Sequence, residues 1–184
     1  KGIASAVPAT LVLLFVQDRL QAPAGTEPLS LLAYFVCAAL SIPLWLRLVR
    51  AIGLARSWLT GMLLAVVTFM GAFVLGAGDV LAFAVVCALS GLALGADLAV
   101  PGAMLAGTVA DNGDQGAAEG TYFGWWNFAT KLNLALAAGL SLPLLALWGY
   151  VPGTRDAAAL QVLAVTYCLL PCALKLIAAC ALYM

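Results

Sequence analysis

Long apolar runs alternate with short polar breaks along the chain, and the breaks fall where glycine, proline and charge cluster. A bilayer core about 30 Å thick needs about 20 apolar residues of helix. Six segments predict such spans: 3–19, 29–49, 58–76, 80–109, 122–148 and 157–183. The first has the shortest apolar stretch and closes on Gln17-Asp18-Arg19. Pro23, Gly25 and Pro28 separate it from the second. Arg47, Arg50 and Arg56 bracket the next turn, and Gly76-Ala77-Gly78-Asp79 ends the third span. A polar loop, 111–120, follows the fourth, and a short loop, 149–156, precedes the sixth. Only helices and closed barrels satisfy every backbone polar group in lipid. These runs are too long and unbroken for barrel strands, so the pattern predicts an all-α polytopic membrane protein with six transmembrane helices.

Composition agrees with the lipid bilayer as the partner of this surface. Of the 184 residues, 65% are hydrophobic and 9% charged, against about 25% charged in ordinary soluble domains. Net charge is zero, which leaves no electrostatic case for nucleic acid. Histidine, the commonest general base and metal ligand, is absent. No HExxH or GxSxG occurs, so no enzyme and no catalytic residue is expected. No phosphate-binding loop is present, which disfavours an ATP-driven pump. Cys37, Cys87, Cys168, Cys172 and Cys180 all lie in apolar runs. Cys168 and Cys172 share a helix face, but without a further soft ligand they read as small buried residues, not as a metal site. The first run imitates a signal peptide, yet Asp18 and Arg19 interrupt it and five more spans follow. A chain that starts on Lys1 instead of methionine suggests residues upstream.

Basic residues in short loops set orientation. With the N-terminus inside, Lys1, Arg47, Arg50 and Arg56 lie inside, against Arg19 and Arg155 outside. Both termini are therefore expected in the cytoplasm. Trp58, Trp148, Tyr150 and Tyr183 stand near span ends, where aromatic anchors are expected.

Three ionisable residues fall inside the spans: Asp97, Lys131 and Lys175. A charge at mid-membrane costs about 2.5–3.5 kcal/mol even on the lenient insertion scale, so such residues face a bundle interior or a water cavity. Lys131 lies nine residues past Tyr122, roughly 13 Å into its span, and Asp97 twelve residues before Val109, roughly 18 Å. Spans four and five run antiparallel, so the two match in depth and are expected to pair, directly or through water. Asn127 shares the Lys131 face and Thr130 borders it. Two readings stay open: Lys131 lines a polar cavity for substrate or ion coupling, or the pair only fixes packing. Lys175 is expected to snorkel towards the interface on its long stem.

Gly91 and Gly95 form a GxxxG pattern that permits close helix contact. Pro101-Gly102 predicts a bend just after Asp97, of the kind transporters use to expose a site. Asp111, Asp114 and Glu119 form an acidic loop without EF-hand spacing. It is either a solvated turn or a cytoplasmic gate paired with Arg47, Arg50 or Arg56. Trp125 and Trp126 read as interface anchors, with sugar stacking the alternative.

The residues from Gly91 onward also carry a resemblance. They read Gly95-Ala-Asp97-Leu-Ala-Val-Pro101, Ala110-Asp111, Glu119-Gly120-Thr-Tyr-Phe-Gly124, Phe128-Ala-Thr-Lys131-Leu and Gly149-Tyr150. With Ile42-Pro43-Leu44-Trp45 upstream, this resembles the C-terminal half of the glycoside–pentoside–hexuronide:cation symporters, the melibiose permease-like branch of the major facilitator superfamily. The resemblance covers nearly the whole chain and implies helices seven to twelve of a twelve-helix fold. It implies that Lys131 sits by the sugar and cation sites, with Asn127 and Thr130 on the substrate-facing side, and that Asp111 and Glu119 belong to the gate network. Where relatives usually carry a basic residue before the Glu-Gly pair, Ala117 and Ala118 stand here, which weakens a salt-bridged gate. The implied partners are a missing N-terminal six-helix half and a small solute, a sugar by family. The implied location is a bacterial inner membrane. The coupling ion would be Na⁺ or H⁺, with no other cofactor. The expected function is therefore symport by alternating access. The alternative is a six-span structural or channel-type subunit, although no filter loop or ring of like residues is found.

Overall fold

The computed structural model describes residues 2–23, 25–113, 116 and 118–182. Among them, six helices are long and apolar enough to cross a membrane: α1 Gly2–Arg19, α2 Thr26–Ile52, α3 Leu54–Phe73, α4 Val80–Asp111, α5 Glu119–Leu147 and α6 Ala157–Leu182. The protein is all-α, as the apolar runs demand. The expected turn around 50–57 shrinks to a single residue. α2 continues to Ile52, and Gly53, at φ +85°, reverses the chain straight into α3. Glycine carries this left-handed conformation without steric cost. Its N–H donates to the Val49 carbonyl at 2.9 Å, and the Ser57 hydroxyl donates back to the Gly53 carbonyl at 2.7 Å. Arg47 and Arg50 therefore belong to the last turns of α2, and Arg56 to the first turn of α3.

α4 is the hub, packed chiefly on α2 and α3. Small residues allow the approach. A β-carbon on Gly91 would collide with the Tyr34 carbonyl, one on Gly95 with Ser41 Oγ, and one on Gly61 with Ala96 Cβ. The GxxxG pattern thus lies in the α2–α4 seam. Polar links reinforce it: Trp45 Nε1 donates to the Leu92 carbonyl at 2.7 Å. α1 packs on α5 and α6, with Gly2 against Asn133. α6 also packs on α3. α5 is the least covered span, with 17% of its most apolar window buried against 44% for α6, so it lies at the margin of the bundle.

Two π-helical turns, Phe15–Arg19 in α1 and Val165–Leu169 in α6, face each other across the core. The second precedes Pro171, which has no N–H to return to the preceding turn. The Phe15 ring stacks on Tyr167 at 4.3 Å, and Phe69 meets Tyr167 edge-on. Cys168 and Cys172 are buried in this core as free thiols.

Candidate functional site

Mid-membrane polarity gathers on α4, at Asp97. It lies 14 residues from Asp111 and 17 from Val80, about 21 and 26 Å from the two helix ends. Its partner is Lys175 of α6, whose Nζ donates to Asp97 Oδ2 at 3.2 Å. Ser5 of α1 donates to the same oxygen at 3.4 Å. This corrects two expectations. Asp97 pairs with Lys175, not Lys131, because α4 meets α5 only weakly while α6 reaches Asp97 through the bundle. Lys175 does not snorkel: it is 3% exposed, and a carboxylate within reach holds its ammonium inside.

The pair lies at one end of a cavity of about 160 Å³. α1 contributes Ser5, Pro8, Ala9 and Val12, and α2 contributes Leu31, Tyr34 and Phe35. Ala65 and Phe69 of α3, with Tyr167 and Lys175 of α6, close its floor. Ala9 and Phe35 are exposed at the mouth, whereas Ala65, Phe69 and Tyr167 are buried. Chemically, the end at Asp97 offers a carboxylate acceptor, an ammonium with three donors and a hydroxyl that does both. Most of the remaining wall is apolar.

Lys131, Asn127 and Thr130 are all exposed on α5, and the Thr130 hydroxyl donates to the Trp126 carbonyl at 2.8 Å. Pro101 is buried and Gly102 half-buried, and α4 runs through both as one helix. Arg47, Arg50, Arg56, Asp111 and Glu119 are exposed, and among the described residues none of them forms an ion pair. The arrangement is that of solvated charges, because water competes well for exposed pairs. Asp114 lies outside the described residues, as does Tyr183. Trp125 and Trp126 are 68% and 42% exposed and line an open cleft with Leu105 and Tyr122.

One cluster escaped the sequence reading. Asp18, 8% exposed, accepts hydrogen bonds from the Tyr150 hydroxyl and from the Gly153 N–H, the latter at 2.9 Å. Tyr150 is thus buried, not an interface anchor. Burial first, and then the hydrogen bond to Asp18, push its hydroxyl pKa well above the ordinary tyrosine value. Nearby, Arg19 Nε donates to the Leu75 carbonyl at 3.2 Å and Gly78 N–H to the Leu20 carbonyl at 3.0 Å. The three loops at this end of the bundle are thereby stitched to the end of α1. The available signal was Asp18 itself, an acid at the close of an apolar run.

A family model described as MFS/sugar transport protein matches residues 3–184. No curated protein and no solved structure matches the chain.

Proposed function

The chain belongs to the MFS/sugar transport protein family, and from that premise we propose that it is one half of a secondary active transporter. It carries a sugar or related small solute with Na⁺ or H⁺ by alternating access. The observation that best supports this is the Asp97–Lys175–Ser5 node, polar and at mid-membrane depth, at the end of a cavity. Charges at that depth are costly and belong to substrate or ion paths by default.

An N-terminal six-helix half would cover the exposed side of α5. Lys131, Asn127 and Thr130 would then stand at the seam between the halves and meet solute or cation there. Pro101 and Gly102 would let α4 flex beside Asp97. Asp111, Asp114 and Glu119 would close against Arg47, Arg50 and Arg56 only in the inward-closed state. Both termini would face the cytoplasm of a bacterial cell.

The test is cation movement driven by solute. The intact transporter, with both halves, is reconstituted in proteoliposomes, and Na⁺ and H⁺ uptake are recorded across a sugar panel. The expected result is one solute class moving with one cation, abolished by Lys131→Ala in protein that remains folded. Retained uptake in that variant would remove Lys131 from the site. No cation movement with any sugar would overturn the symport reading.

A further inference from the structure

We propose that the cavity between α1 and α2 is a solute subsite for an amphipathic molecule. Its ligand has a hydroxyl-bearing polar end, held by Asp97, Lys175 and Ser5, and an apolar body about one aromatic ring in size. The inference rests on the transport reading and names the substrate class it implies.

Size comes first. The cavity holds about 160 Å³, and an apolar cavity of about 150 Å³ is enough for a benzene ring. Chemistry comes second. A bare sugar carries hydroxyls around its whole perimeter, and burying a hydroxyl without a partner is costly. Here the charged donor and acceptor groups converge at one end, at Lys175 and Asp97. Phe35, Phe69, Ala65 and Val12 offer the body of the ligand no strong polar partner. The Lys175 ammonium has three donors, and Asp97 engages one of them. Among the described residues, no other partner of Lys175 is present.

Depth excludes a resident lipid. Asp97 stands about 21 Å or more from either end of α4. A lipid headgroup stays at the interface and cannot reach it, and an acyl tail would press methyl groups against an ion pair. A solute carried across the membrane passes this depth by necessity.

The experiment uses the intact transporter in detergent and in proteoliposomes, with phenyl and methyl glycosides of the same sugars as probes. Binding is read as a shift in melting temperature and transport as uptake. The phenyl glycoside is expected to bind about tenfold or more tighter than the methyl glycoside, the effect of burying one ring. Ala9→Phe, at the exposed rim, should erase that preference, while Ala9→Ser should keep it. If transport occurs but the two probes bind alike, or Ala9→Phe leaves the preference intact, the subsite is wrong and the transport reading stands. If the phenyl probe binds with the expected preference but nothing is transported, the subsite stands and the transport reading falls. If neither binding nor transport is seen, both fall.

Discussion

Lys131 and Lys175 are both lysines set within apolar helices, and the fold treats them oppositely. Lys175 is 3% exposed and holds a carboxylate on another helix. Lys131 stands exposed on α5, the span with the least cover. The difference lies in the neighbours, not in the residue. α6 packs on α1 and α3 and reaches α4 in the interior, where an unpaired charge would be prohibitive. α5 leans mainly on α1 and leaves one side bare. One lysine is therefore fixed by the fold of this half. The other is available to whatever meets α5.

That contrast can be broken experimentally, beginning with the largest effect. Lys175→Ala strands a buried carboxylate and should cost about 3–5 kcal/mol of stability. Thermal unfolding in detergent reads it, and the double variant with Asp97→Ala should recover part of the loss. Tyr150→Phe removes a hydrogen bond to a buried carboxylate and should cost about 1.5–3 kcal/mol. The raised Tyr150 pKa has a definite sign. Its stabilising contribution is fully present below the ordinary tyrosine pKa of about 10, and it is lost as pH rises through the higher folded value. An ultraviolet titration should therefore lose a late-ionising tyrosine in Tyr150→Phe. Gly95→Ala forces α2 and α4 apart at Ser41 and should cost about 1–3 kcal/mol. Lys131→Ala should change stability by no more than about 0.5 kcal/mol. A large loss there would mean that Lys131 is a packing residue after all.

The spans were legible in the sequence because lipid imposes length and apolarity together, and few other structures satisfy both. Asp97 was legible for the same reason, since an acid among apolar residues has few places to go. Its partner was not. Depth along a helix follows from counting residues, and by that measure Lys131 matched Asp97. The direction in which each side chain leaves its helix depends on which helices are neighbours, and α4 turned out to prefer α2 and α3 over α5. The Gly91–Gly95 pattern announced a close contact but could not say that α2 was the other side. The Asp18–Tyr150 link joins residues 132 apart in sequence, and nothing local to either names the other. The one-residue turn at Gly53 was hidden by arginines, which look like a loop but serve as the polar ends of two helices.

The most direct test of the account is a charge swap at the buried pair. Asp97→Lys combined with Lys175→Asp keeps one acid and one base at the same depth, so the packing contribution of the pair is largely retained. The Asp97 position loses its carboxylate, and the ammonium moves to α4. In proteoliposomes of the intact transporter, the account predicts a swapped protein that unfolds near the wild-type temperature yet no longer takes up the solute that wild type carries. Wild-type uptake in the swapped protein would contradict it, and would reduce Asp97 and Lys175 to a brace between α4 and α6.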